Sequence, residues 1–110
     1  MNIQNILSPS YQLYTQQSTK DNTFESIYQT DLLSRAIKNA QPNDILITII
    51  NHLNTVATAS MLFLSCIIIC EDQKPTELMI KKANEAHIAL LYTPLKSHEV
   101  VIDLYQRGLL

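Results

Sequence analysis

The residues best suited to chemistry follow a strongly apolar run near the middle of the chain. The segment Asp44–Asn54 reads DILITIINHLN, so Asn51, His52 and Asn54 come directly after a stretch rich in isoleucine. An imidazole can exchange a proton or bind a ligand oxygen, and the two amides can donate and accept hydrogen bonds. The isoleucine-rich run is typical of a strand covered on both faces. The polar residues therefore fall where a strand ends and a helix begins, which is the edge at which open parallel sheets bind ligands.

The helix start after this strand favours an anionic ligand. Residues 52–55 include no Asp or Glu, although acidic side chains usually occupy the first turn of a helix. The free N–H groups of that turn are therefore left for an anion. Thr48 and Thr93 end two predicted strands, and we expect them at the same edge of the sheet. The predicted ligand-binding residues are Thr48, Asn51, His52, Asn54 and Thr93.

Two observations favour simpler interpretations of this edge. Asn51 and His52 are both suited to capping the helix that begins near Leu53, with no ligand involved. Glu71 and Asp72 follow the middle strand and would repel an anion unless they point away. An enzyme that uses His52 as a general acid or base is a further alternative. It ranks lower because no serine or cysteine is visibly paired with this histidine.

Composition excludes several classes of function. A net charge of −2 and eight scattered Lys and Arg residues provide no basic surface for nucleic acid. The longest apolar stretch, Met61–Cys70, is far shorter than the ~20 residues that cross a bilayer, and the N-terminus has no signal-type core. We therefore expect a soluble cytoplasmic protein. The single glycine, Gly108, excludes a glycine-rich phosphate loop, so we expect no dinucleotide or other cofactor.

The two cysteines are best explained as core residues. Cys66 and Cys70 flank a run of isoleucines, so in a strand they point the same way, roughly 13 Å apart. That separation is too long for a disulfide bond. A metal site would require closer spacing and a third ligand from His87 or His98, so we expect none.

Hydrophobic periodicity predicts a single α/β domain of 110 residues. Strands are predicted over Tyr11–Thr15, Thr23–Gln29, Ile45–Ile49, Cys66–Cys70 and Ile88–Tyr92. Helices are predicted over Met1–Leu7, Leu32–Ala40, Leu53–Phe63, Pro75–Ala86 and His98–Arg107. Thr30 or Asp31 is expected to cap the second helix, and Gln16–Asn22 is expected to be a loop. Three consecutive βα units in the last two-thirds indicate a mainly parallel sheet flanked by helices.

Three segments together resemble a known family. They are Asp31–Ser34 (DLLS), the turn around Ile47-Thr48 with His52 and Asn54, and Ile67–Val100, which contains IIICEDQKP and IALLYTPL. The chain is similar in these segments to the DRTGG domain and to its relative, the N-terminal domain of HPr kinase/phosphorylase. The resemblance implies a compact α/β module without catalytic activity of its own, which occurs alone or attached to enzymes and to nucleotide-sensing CBS domains. In HPr kinase/phosphorylase the kinase chemistry belongs to a separate domain with a phosphate-binding loop, so kinase activity is not implied here.

The motif that gives the DRTGG domain its name is degenerate in this chain. The acidic position corresponds to Asp21, the arginine position falls on Asn22, and the glycines fall near Ser26 and Ile27. An arginine pairs with phosphate or carboxylate, and glycines let backbone N–H groups approach one. Because both features are replaced, the resemblance carries no ligand role for the segment Asp21–Ile27.

Apolar helix surfaces predict self-association. The last helix carries Val100, Val101, Leu104 and Tyr105 with few charges, and the helix Leu53–Phe63 is apolar almost all round. In a small domain a second copy can cover such surfaces, so we expect a homodimer. The sequence thus favours a bacterial-type regulatory or assembly module that dimerises and binds a small anionic or nucleotide-like ligand, or a protein partner. A structural interaction protein that has lost its ligand is the remaining alternative.

Overall fold

The computed structural model describes residues 1–110, and a five-stranded sheet runs through its centre. The strands in chain order are β1 (Gln12–Leu13), β2 (Ile27–Gln29), β3 (Ile45–Thr48), β4 (Cys66–Ile69) and β5 (Ala89–Tyr92). They lie in the order β1-β5-β4-β3-β2, with β2 to β5 parallel and β1 antiparallel to β5. The predicted single α/β domain with a mainly parallel sheet is confirmed in its architecture.

Four α-helices cover the two faces of this sheet unequally. They are α1 (Leu33–Asn39), α2 (Leu53–Met61), α3 (Glu77–Glu85) and α4 (Ser97–Gln106). The first three pack on one face, which we call the three-helix face, where Ala36, Val56 and Met79 contact alternate strand residues such as Leu46 and Leu90. The other face is covered by α4 and the N-terminal segment, and we call it the α4 face.

The apolar runs predict the central strands correctly because each strand residue is buried from one face or the other. All four residues of β3 and of β4 are buried. Side chains alternate along a strand, so Ile45 and Ile47 pack on the α4 face while Leu46 packs on the three-helix face. Cys66 and Cys70 share the α4 face, as their spacing predicts, and both are free buried thiols.

The N-terminal third differs from the prediction. The helix expected over residues 1–7 is only a 3₁₀ turn at Ile3–Asn5, and the expected loop at residues 16–22 contains a second 3₁₀ turn, Gln17–Asp21. Ile3 and Ile6 are fully buried in the cluster on the α4 face. These two buried residues are three positions apart in the sequence, which is also the spacing of apolar residues on one side of a helix. The same pattern therefore predicted a helix that the structure does not contain.

Three of the four α-helices also start one or two residues away from the predicted position, whereas α2 starts at Leu53 as predicted. The predicted caps of α1 are wrong, because this helix begins at Leu33 after Leu32 without a side-chain cap. The hydroxyl of Thr30 instead accepts from Leu32 N–H, and Asp31 bonds elsewhere. Helix α3 begins after Thr76, whose hydroxyl accepts from Met79 N–H at 3.2 Å. No helix in the structure has the length and apolarity needed to span a bilayer.

Candidate functional site

Thr48 ends β3 at the carboxyl edge of the sheet, and its hydroxyl already makes two hydrogen bonds within the chain. The side chain is completely buried. Its Oγ1 donates to Asp31 Oδ1 at 3.2 Å and accepts from Ile50 N–H at 3.3 Å. The same Asp31 oxygen accepts from Ile49 N–H at 3.0 Å. Thr48 and Asp31 therefore hold the chain that enters α1 against the end of β3, and the one O–H donor of Thr48 is already used.

Thr93 lies at the same edge but on the opposite face. It follows β5 and is fully buried, and its Oγ1 accepts from Leu95 N–H at 3.2 Å. Because side chains alternate along a strand, Thr93 shares the α4 face with Leu91, whereas Thr48 shares the three-helix face with Leu46. The structure therefore does not bring the side chains of Thr48 and Thr93 together.

Asn51, His52 and Asn54 meet at the start of α2. His52 Nδ1 accepts from Asn54 N–H at 3.0 Å, so the imidazole is the N-cap of this helix, as one of the two interpretations predicts. This acceptor role leaves Nε2 as the hydrogen-bond donor of an exposed ring. Asn51 does not cap the helix: its amide donates to the carbonyl of Lys74 at 3.2 Å. The first turn of α2 contains no acidic residue.

Tyr92 and Lys74 belong to the same rim, and sequence analysis did not include them. Register pairs Thr48 with Ile69 and Ile69 with Tyr92, so Tyr92 lies level with Thr48, two strands away on the same face. Two strand spacings amount to roughly 10 Å. Lys74 Nζ lies 5.9 Å from the centre of the Tyr92 ring. The alternation of IALLY would have identified Tyr92, because Leu90 and Tyr92 are two residues apart.

An acidic loop borders the rim beyond β4. Glu71 and Asp72 have φ of 59° and 62°, a left-handed conformation that is uncommon for residues other than glycine. Their N–H groups donate to the carbonyls of Leu95 and Thr93 at 2.8 and 3.2 Å, which fixes the loop. The Asp72 carboxylate accepts from the Tyr92 hydroxyl, and this hydrogen bond raises the pKa of Tyr92. One of the two carboxylates is thus already paired, and the Glu71 side chain stays exposed.

Comparison with known protein families identifies one that matches this chain. The family model for the HPr serine kinase N terminus matches residues 52–106, half of the chain. The chain belongs to this family. The matched region begins at the His52 cap and ends with α4, so it includes α2, β4, α3 and β5. No curated protein matches the chain.

A solved structure extends the likeness of this HPr serine kinase N-terminal domain to almost the whole chain. It contains the CBS and DRTGG domains of the regulatory region of Clostridium perfringens pyrophosphatase, complexed with its activator, diadenosine tetraphosphate. The TM-score is 0.80 at 18% identity, covering 96% of this chain and 46% of that chain. The chain therefore spans about half the length of that structure, and at this identity the likeness establishes the fold. The resemblance to the DRTGG domain and to the HPr kinase N terminus is confirmed.

The degenerate motif of this family member lies at the opposite edge of the sheet. Asn22, at the arginine position, donates its amide to the carbonyls of Ser65 and His87, at 3.1 and 2.9 Å. Those two residues lie just before β4 and β5, at the amino ends of the strands. Asp21 and Asn22 line a cavity of about 400 Å³ there. The motif segment and the rim at His52 are therefore separated by the length of the sheet.

The thiols of the domain are unsuited to nucleophilic chemistry. Burial raises the pKa of Cys70 to about 12, and burial also raises the pKa of Cys66. Both thiols are therefore protonated near neutral pH, and a protonated thiol is a poor nucleophile. The structure contains no group of three or more His, Cys, Asp or Glu side chains that could hold a metal ion.

Proposed function

We propose that this HPr serine kinase N-terminal domain is a non-catalytic regulatory module that dimerises and binds a small anionic or nucleotide-like ligand at the carboxyl edge of its sheet. The observation that carries the proposal is the composition of the rim on the three-helix face. The start of α2 and the exposed His52 lie on this rim, Asn51 bonds to the backbone of Lys74, and the amine of Lys74 lies 5.9 Å from the centre of the Tyr92 ring.

Each part of this rim suits one part of a nucleotide. At the start of α2 the N–H groups of Asn54 and Thr55 are already bonded to His52, which leaves the N–H of Leu53 for an anion, and no acidic side chain in the first turn competes with it. Lys74 provides a positive charge for a phosphate, and Asn51 holds the Lys74 backbone close to α2. The half-buried aromatic ring of Tyr92 offers a surface on which a base can stack.

The predicted site residues divide into two groups under this proposal. His52 and Asn54 are exposed and half-buried Asn51 borders them, so these three can contact a ligand. Thr48 and Thr93 are fully buried and act by holding the backbone of the rim. The solved relative is a regulatory region in complex with diadenosine tetraphosphate, which supports both a regulatory role and a nucleotide-like ligand for this chain.

Exposed apolar side chains support the proposed dimerisation. Phe63 is 76% exposed and Tyr105 is 72% exposed, and Met61 and Ile102 are each more than half exposed. Large exposed apolar side chains in groups are typical of protein interaction sites. They occur at two places: around the end of α2 and on the outer side of α4.

Calorimetric titration tests the ligand part of the proposal. Diadenosine tetraphosphate, AMP and inorganic phosphate are titrated separately into the wild-type domain and into His52→Asn and Lys74→Met. Asparagine is itself a good N-cap, so His52→Asn removes the imidazole and keeps the helix start. We expect at least one probe to bind the wild type and each variant to weaken that binding by about tenfold, the effect of one charge-assisted hydrogen bond.

Matched controls make the result specific to the rim. His87→Asn changes an exposed histidine at the amino edge, and Lys38→Met changes an exposed lysine of α1; both should bind as the wild type does. If the wild-type domain binds none of the three probes, the result contradicts the ligand proposal and favours a structural interaction protein. Turnover of a probe that is lost in His52→Asn would instead establish an enzyme.

A further inference from the structure

An apolar groove runs along the outer side of α2 and α3. It encloses about 410 Å³ and is lined by Leu53, Ala57 and Ser60 from α2, and by Lys82, Glu85 and Ala86 in and after α3. A smaller depression continues it towards Phe63 and shares Ser60 and Ala86 with it. The groove therefore extends from the first turn of α2 past its end.

Phe63 borders this groove in an unusual backbone conformation. Its φ is 59°, a left-handed value that is unfavourable for a bulky residue. The ring is nevertheless 76% exposed, so the isolated chain gains little burial from it. Met61 is 57% exposed beside it. An aromatic ring held outwards next to an apolar groove is the arrangement of an interface anchor.

The charges that line the groove indicate which kind of partner it would fit. Helix α2 contains no charged residue, and the α3 wall carries one lysine and one glutamate, Lys82 and Glu85, three residues apart. Within the chain they form an exposed ion pair of 3.3 Å. A partner of a single charge sign would repel one of the two. A second copy of α3 that runs antiparallel instead places Glu85 opposite Lys82 twice, once on each side of a two-fold axis.

We propose that this groove is the interface of a symmetric dimer in which α3 packs antiparallel against α3 of a second copy, with Phe63 as an apolar anchor. The inference rests on the dimerisation proposed above and assigns it to one surface.

Reversal of the two charges tests the antiparallel pairing. Sedimentation velocity over a concentration series measures the dimer dissociation constant of the wild type, Lys82→Glu, Glu85→Lys and the double reversal. Each single variant places like charges opposite each other twice, and we expect its dissociation constant to rise at least about tenfold. The double reversal restores both pairs, and its dissociation constant should return to within about threefold of the wild type.

Phe63→Asn tests the anchor. Asparagine tolerates a left-handed backbone, so the variant removes the ring while the fold is kept, as far-UV circular dichroism will check. We expect the dissociation constant to rise about a hundredfold or more, because two rings leave the interface. Tyr105→Ser on α4 is the matched control and should dimerise as the wild type does.

The outcomes separate the two proposals. A wild type that stays monomeric at roughly 100 μM, far above the dissociation constant of a typical specific dimer, would overturn dimerisation and this surface together. A dimer that is insensitive to the groove variants and lost in Tyr105→Ser would overturn this surface alone. A double reversal that stays as weak as the single variants would overturn the antiparallel pairing of α3.

Discussion

The two buried thiols should make the domain unstable at alkaline pH. Burial raises the pKa of Cys70 from 9.0 to about 12, and it raises the pKa of Cys66 as well. Below pH 9 both thiols are protonated in the folded and in the unfolded chain, so the free energy of unfolding does not change with their titration there. The free energy of unfolding falls as the pH rises from 9 towards the pKa of the folded state, because only the unfolded chain then releases the thiol protons.

The size of this loss follows from the separation of the two pKa values. Each pH unit between them costs about 1.4 kcal/mol per thiol. Between about pH 8 and about pH 10.5, Cys70 alone should lower the free energy of unfolding by about 2 kcal/mol, and the two thiols together by about 4 kcal/mol. A small domain has only ~5–15 kcal/mol of stability, so this change is a large fraction of the total.

Urea unfolding at the two pH values, with a phosphine reductant present, measures the effect. The double variant Cys66→Ala, Cys70→Ala lowers stability at both pH values through the lost packing, but its loss between them should be about 4 kcal/mol smaller than that of the wild type. Met79→Leu, a change at a fully buried residue that does not titrate, serves as the control. If the double variant loses as much stability between the two pH values as the wild type does, the thiols do not cause the alkaline instability.

Two further substitutions test the contacts that hold the chain around the sheet. Thr48→Val removes the donor to Asp31 and the acceptor of Ile50 N–H, so we expect a loss of about 2 kcal/mol and a fall in melting temperature of roughly 8 °C, measured by calorimetry. Arg107 pairs with Asp103 at 3.1 Å and donates to backbone carbonyls of the N-terminal segment. Arg107→Met should cost about 1–2 kcal/mol in urea unfolding and accelerate hydrogen exchange in residues 1–11, whereas Lys38→Met should change neither. An unchanged exchange rate would show that Arg107 does not hold the N-terminal segment in place.

The strands that are buried on both faces could be predicted from the sequence. Residues whose partners are set by tertiary contacts could not. The residues of β3 and β4 are buried on both faces, so their apolar runs identify them without knowledge of the partners. Asp31 could not be assigned in the same way. It resembles a helix cap, and only the fold shows that it accepts from Thr48 and Ile49 instead.

The predicted rim shows the same division. The edge and the start of α2 followed from the alternation of strands and helices, and His52 caps that helix. The sequence alone gave no indication of Lys74, because the loop that brings it to Tyr92 depends on two left-handed residues, Glu71 and Asp72. Thr93 was grouped with Thr48 by position along the strand, although the alternation of side chains directs them to opposite faces.

Helix α2 is the one element that takes part in both proposed surfaces. Its first turn, capped by His52, borders the rim where the ligand is proposed to bind, and its outer side from Leu53 to Ser60 lines the groove proposed for the second copy. Both proposed binding events therefore involve a single nine-residue helix. Coupling between two sites is reciprocal, so a ligand that binds the dimer more tightly than the monomer must strengthen dimerisation by the same factor. Under the two proposals, ligand concentration determines how many copies are paired, and an attached or associated protein can respond to that number.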